Sequence, residues 1–228
     1  RLFATNEVPL SRLFPVSSSH VSALGGSPWP AQVNTNARGG PLRCRDGDYG
    51  WGFGVHATSE LRFALWPLVS AFRTGIGLDR LAGKGGCIRA RIIHLPTNQP
   101  NHQTAFLTGA SQVIEMGWLP ITVTTDTPHE LVLQVDLAHT GRPPGADPLD
   151  IRDIANWVDP MLQLDPQRLA QAIEQRLTTQ VPAWRDWRAV GATAATCRRM
   201  PRFTEWVEPY GRFEEAVVAV EQIGRAHV

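Results

Sequence analysis

The stretch Asp48-Tyr49-Gly50-Trp51-Gly52-Phe53-Gly54-Val55-His56-Ala57-Thr58-Ser59-Glu60-Leu61 admits two opposed readings, and the residues that follow decide between them. Gly52, Gly54 and Ala57 match the dinucleotide fingerprint G-x-G-x-x-A by letter. That fingerprint works only where a helix leaves it, because the helix N-terminus holds the pyrophosphate. In the run Glu60 to Leu65, Leu61, Phe63 and Leu65 instead alternate with Arg62, the period of a half-buried strand. A strand after the glycines excludes the nucleotide reading. Gly83-Lys84-Gly85 fails as a phosphate loop too, since Gly85 stands where Ser or Thr is required.

The same alternation continues outward on both sides, from Pro41 to about Leu164, broken by clusters of Gly, Pro, Asn and Asp. Strands are expected at Glu60 to Leu65, Ala71 to Leu78, Cys87 to Ile93 and Glu130 to Asp136. Shorter ones are expected at Ala105 to Leu107, Gln112 to Glu115, Ile121 to Thr124 and Trp157 to Leu164. Gly75 and Gly77 alternate with Phe72, Ile76 and Leu78, which places them where another part of the chain approaches closely. Short strands separated by turn sequences such as Asp46-Gly47 and Pro143-Pro144-Gly145 imply an all-β sandwich.

The period changes at Asp165-Pro166, an N-cap followed by proline at the first helical position. Leu169, Ile173 and Leu177 recur every four residues, so Pro166 to Thr179 reads as one amphipathic helix. The expected organisation is therefore a sandwich over residues 11–165, a helix and linker over 166–181, and a second, truncated module over 182–222. Residues 223–228 (IGRAHV) read as a scar translated from a sequencing adapter.

The 228 residues carry 22 Lys plus Arg against 21 Asp plus Glu, a net charge of +1. That balance removes the basic footprint of a nucleic-acid binder, and no apolar run approaches the ~18 residues of a membrane span. Cys44, Cys87 and Cys197 form no C-x-x-C pair and fit buried apolar positions, with a Cys44 to Cys87 bridge as the lesser alternative. The seven His lack zinc spacing, and no G-x-S-x-G elbow appears. Asp147, Asp150 and Asp153 recur at three-residue intervals. They could offer oxygens to Ca²⁺ but lack the spacing of the helix-loop-helix calcium site. The favoured reading has Asp147 starting a turn, Asp150 capping the next short element and Asp153 pairing with a nearby Arg.

Eight Trp raise the question of sugar stacking. Tyr49 and Trp51, beside Asp46 and Asp48 in a Gly-rich turn, are the loop candidates for ligand contact, and Trp157 is the core candidate. The quoted stretch resembles the signature strand-loop-strand of the NPCBM family of carbohydrate-binding modules. Phe72-Arg73-Thr74-Gly75-Ile76-Gly77-Leu78-Asp79, Gly85-Gly86-Cys87-Ile88-Arg89-Ala90 and Ile154-Ala155-Asn156-Trp157 resemble later strands of that family.

The resemblance implies a galactose-binding-like jelly-roll β-sandwich. It implies a non-catalytic accessory module of a larger extracytoplasmic or secreted bacterial protein, binding a neutral, galactose-type glycan with no cofactor. Tyr49, Trp51, His56 and Arg62 are the expected ligand-binding residues, His56 mainly bonding backbone across its loop. Asn156 departs from the family, where Asp is common, and 96–103 and 143–148 lengthen loops. Two alternatives stand beside this reading: a structural or protein-interaction sandwich without sugar affinity, and a fragment of a glycoside hydrolase whose catalytic domain is missing.

Overall fold

The computed structural model describes residues 6–26, 28–96, 102–109, 111–124, 128–138 and 142–180. The expected second module (182–222), the scar (223–228) and Cys197 lie outside the described residues. The chain divides into two compact units after Pro166.

Thirteen described strands make up the first unit: β1 (Glu7–Pro9), β2 (Ser17–His20), β3 (Gln32–Val33), β4 (Leu42–Cys44), β5 (Gly47–Tyr49), β6 (Gly52–His56), β7 (Ser59–Leu65), β8 (Val69–Leu78), β9 (Cys87–Leu95), β10 (His102–Thr108), β11 (Ile114–Pro120), β12 (His129–Leu137) and β13 (Ile154–Leu164). One sheet runs β11-β8-β13-β6-β3, with β1 also on β13, and the other runs β10-β9-β12-β7-β2. The pairings are antiparallel throughout. The helix α1 (Pro166–Gln180) starts at the expected proline, and from Gln167 onward it belongs to the second unit.

Alternation in sequence becomes alternation in burial. Leu61, Phe63 and Leu65 of β7 are buried while Arg62 and Ala64 are not. Phe53 and Phe63 meet between the sheets with ring centroids 5.4 Å apart. Trp157 is fully buried beside them, in register with Phe53 on one side and Ile76 on the other. Such a core ring contributes on the order of 3–5 kcal/mol against truncation.

The glycines of the quoted stretch answer to packing. A Cβ on Gly54 would overlap the backbone of Asn36, and Gly52 combines a φ of +151° with a Cβ position occupied by the Trp157 carbonyl. Gly75 and Gly77 admit the close approach expected of them. Their Cβ atoms would lie 2.8 Å from Val113 and 2.7 Å from the Cys44 sulfur. The β4-β5 hairpin and the chain near Val113 thus cover this face of the sheet.

Three expectations need correction. Gln112 to Glu115 and Ile121 to Thr124 are not separate strands: β11 spans Ile114–Pro120, and a register shift between Met116 and Leu119 disrupts the alternation that would mark it. Ile121 and Val123 are buried beyond its end. The sandwich starts before Ser11, because β1 pairs Glu7–Pro9 with Gln163–Met161; three residues are too few to show a period. Cys44 and Cys87, by contrast, are buried free thiols as favoured, and the lesser alternative of a bridge between them is not formed; burial pushes the Cys44 thiol up to about 12. Asp150 caps nothing local, as described below.

Candidate functional site

The strand register places five connections at one end of the sandwich. His56 pairs with Ile154, Leu78 with Ala155, Ser59 with His20 and Val135, and Cys87 with Thr108. The segments after β2, β6, β8, β10 and β12 therefore gather together. A rim of loops on a rigid scaffold is where binding residues concentrate.

At this rim the backbone N–H of Trp29 donates to His20 Nδ1 at 3.0 Å. His20 Nε2 lies 3.2 Å from His56 Nδ1. The donor identity of the Trp29 N–H fixes the rest. His20 must carry its proton on Nε2 and donate it, so His56 accepts at Nδ1 and keeps its own proton on Nε2. Both rings are neutral in this arrangement. Burial lowers His20 below the ordinary histidine value against the opposing Ala57 carbonyl and Asp150. It lowers His56 as well, His20 and Arg38 adding to the effect.

The indole of Trp29 stacks on His56 with centroids 4.8 Å apart and planes at 27°. The exposed Arg38 sets its guanidinium 5.4 Å from the Trp29 ring centroid. Asp150 anchors the loop between β2 and β3. One carboxylate oxygen accepts from the Ser22 hydroxyl at 2.9 Å and from the Ala23 N–H at 2.7 Å. Burial raises the Asp150 pKa, but these bonds and nearby His56 outweigh it and hold the carboxyl below its ordinary value. Its partners lie more than 120 residues away in sequence, which is why local spacing suggested a cap.

The other two acids behave as expected of structural residues. Asp153 is wholly buried and accepts from the Cys87 N–H at 2.7 Å and from Arg142 at 2.5 Å. Asp147 pairs with Arg152. The three carboxylates take separate partners, and no three His, Cys, Asp or Glu gather as a metal site among the described residues.

The four expected site residues are not brought together. His56 ends β6 at the rim, whereas Trp51 precedes the other end of that strand, roughly 15 Å away at ~3.3 Å per residue. Trp51 has the Arg12 guanidinium 4.9 Å from its ring centroid. Tyr49 is half-buried on β5, and burial with nearby Asp46 pushes its hydroxyl up to about 12. Arg62 lies on the opposite sheet, held by Glu60 at 2.7 Å and Glu130 at 3.2 Å. His56 finds an imidazole partner in His20, a residue sequence reasoning did not select. Trp29 and Arg38 were also missed, although a Trp three residues beyond Gly25-Gly26 was the available signal.

The departure at Asn156 has a local cause. Its amide donates to the buried Asp79 carboxylate at 2.8 Å, which an ionised Asp at 156 could not do. Among the described residues, the chemistry on offer at the rim is a neutral imidazole N–H, an exposed guanidinium and an indole.

A family model described as NPCBM/NEW2 domain matches residues 6–163. Among solved structures, the CBM51 of Clostridium perfringens GH95 in complex with methyl-galactose is 22% identical, with a TM-score of 0.52, covering 69% of this chain and 99% of that one. The CBM51-2 domain in complex with GlcNAc and INT domains of Clostridium perfringens ZmpB is 17% identical, with a TM-score of 0.54, covering 96% of this chain and 44% of that one. A structure of the CBM51-2 and INT domains of the same protein is 20% identical, with a TM-score of 0.54, covering 74% and 35%. This chain thus spans less than half of each ZmpB structure. At these identities the likeness is one of fold. No curated protein matches the sequence. No helix among the described residues is long and apolar enough to cross a membrane.

Proposed function

The chain belongs to the NPCBM/NEW2 domain family, and from that premise we propose that its sandwich is a non-catalytic module binding a neutral glycan at the loop rim around His56. The observation that carries the reading is the enforced neutrality of His56 beside Trp29. A hydroxyl-rich, uncharged ligand is matched by a ring N–H donor and a guanidinium beside an apolar indole, and such sites bind through few, well-placed polar groups. The solved relatives hold methyl-galactose and GlcNAc, so galactose-type and N-acetylglucosamine-type sugars are the ligands to try. The module would serve a larger extracytoplasmic bacterial protein as its targeting part, as the resemblance implies.

Calorimetric titration of the whole chain with methyl-galactose and with GlcNAc tests the reading. Binding in the millimolar range is expected, abolished by Trp29→Ala and by His56→Ala and retained by Trp51→Ala, with melting curves checking that each variant folds. Absence of heat with both sugars, followed by a blank glycan array, defeats it.

A second reading has its own support. Trp29, Trp51 and Trp118 each carry an arginine over the ring, so none of the three is a bare stacking platform. Phe14, Val16, Val21 and Leu24 are at the same time well exposed. A protein-interaction sandwich would show these features, and it predicts that Phe14→Ser removes a protein partner without any glycan effect.

A further inference from the structure

A cleft of about 650 Å³ opens at the same loop end, walled by the β4-β5 turn, the segment after β8, the β10-β11 connection and the loop before β13. That volume falls within the roughly 300–1,000 Å³ typical of small-ligand sites. Its charged residues are Arg45, Arg80, Lys84 and Asp79. The Asp79 carboxylate is buried and turned into the fold. One oxygen accepts from the Leu81 N–H at 2.9 Å and the other from the Asn156 amide at 2.8 Å. Arg80 is held in place by a bond from its Nε to the Cys44 carbonyl at 2.8 Å, with Asp48 3.4 Å from another of its nitrogens. Lys84, the single lysine of the chain, makes no ion pair with a described residue. The Ser111 hydroxyl accepts from the Thr108 N–H at 2.9 Å and lies 3.5 Å from the Thr108 hydroxyl; with Thr108 as the donor of that second contact, the Ser111 proton is available to a ligand oxygen.

We propose that this cleft binds the anionic substituent of an acidic sugar, a sulfate ester or a carboxylate, on Lys84 and Arg45 with the Ser111 hydroxyl as a further donor. The inference rests on the glycan reading above and extends it from neutral to acidic ligands. A polyanion such as nucleic acid is the poorer match: the chain is nearly neutral overall and the cations line one concavity, whereas nucleic acids take extended basic surfaces. Fixed cations around a partly enclosed cleft interact more strongly with an anion than the same charges on an open surface.

The test is calorimetric titration of the whole chain with methyl-galactose, galactose 6-sulfate, galacturonate and inorganic sulfate, at low and at high salt. At least one acidic sugar is expected to bind about tenfold tighter than methyl-galactose at low salt, the advantage shrinking as salt rises. Lys84→Gln and Arg45→Gln should each reduce that advantage while preserving the melting temperature; both lie in exposed turns. The sulfated and carboxylated arms separate the two anion chemistries. Equal affinity for neutral and acidic sugars, unchanged by Lys84→Gln, overturns the cleft and leaves the neutral-glycan reading standing. Binding of acidic sugars alone upholds the cleft and overturns the neutral ligand. Inorganic sulfate binding as tightly as galactose 6-sulfate overturns the sugar requirement, and silence from every probe overturns both.

Discussion

His20 Nε2 lies 3.2 Å from His56 Nδ1, and the Trp29 N–H on the far side of His20 makes this pair stable only with both rings neutral. A second pair, between β9 and β12, repeats the logic. The Thr124 N–H donates to His129 Nε2 at 3.1 Å, so His129 donates through Nδ1 to His94 Nε2 at 3.0 Å. Protonating His20 would set a new N–H against the Trp29 N–H, and protonating His94 would set one against His129.

Acid should therefore loosen the fold through these pairs. Burial holds His20, His56 and His94 below the ordinary histidine value, so the unfolded chain binds more protons at these sites than the folded one. Their contribution is complete above about pH 6.5 and is lost as the pH falls below it. His56→Asn sets an amide oxygen near the Nδ1 position and accepts from His20 without titrating. Between about pH 7.5 and about pH 5, the melting temperature of this variant should fall less than that of the parent. Parallel curves would show that His56 titrates alike in both states.

Asp150→Ala addresses the site more than the core. The carboxylate joins the loop at Ser22 and Ala23 to the loop before β13, and no strand pairing depends on it. Loss of two charge-assisted bonds should cost about 1–3 kcal/mol in denaturant unfolding. Glycan affinity should fall with it, because the same loop leads to Trp29. Unchanged affinity beside reduced stability would separate the loop anchor from binding.

Asn156→Asp restores the residue common in the family and is expected to harm this protein. The new carboxylate would face that of Asp79 in a site from which water is excluded, both residues being at most 2% exposed. Two such groups cannot both ionise without a large cost. Destabilisation of roughly 3 kcal/mol is expected near neutral pH, easing as acid protonates one of the pair. A variant as stable as the parent at pH 7, measured by urea unfolding, would refute this account of the substitution.

What the sequence made legible follows from the reach of each signal. Period-two alternation is local, so β7, β8, β9 and β12 could be read from Leu61, Ile76, Ile88 and Leu133 and their neighbours. The Gly52 and Gly54 spacing marked a special backbone but not the Asn36 and Trp157 atoms that require it. The site is non-local. His20 meets His56 across 36 residues and Asp150 meets Ala23 across 127, and no spacing rule joins residues brought together by strand order alone. Tyr49 and Trp51 drew attention through composition, whereas membership of the rim depends on which end of β6 a residue occupies.

The Arg142–Asp153 pair gives an acid response of opposite sign to that of the histidines. Burial pushes the Asp153 carboxyl up to about 6, against the pull of the Cys87 N–H and the Arg142 guanidinium. A carboxyl raised in the folded state contributes stability that is complete below its ordinary value of 3.8 and is lost as the pH rises through about 6. The span between those values corresponds to roughly 3 kcal/mol. Asp153→Asn removes this titration, so the parent should gain stability relative to the variant as the pH is lowered from about 6.5 to about 4. Asp153→Ala is a different perturbation: it strands the Arg142 guanidinium and the Cys87 N–H, and about 3–5 kcal/mol should be lost near neutrality. Urea unfolding of the three proteins across this range checks both. A constant difference between parent and Asp153→Asn would mean that Arg142 keeps the folded carboxylate ionised throughout, and the histidine pairs alone would then set the acid limit of the fold.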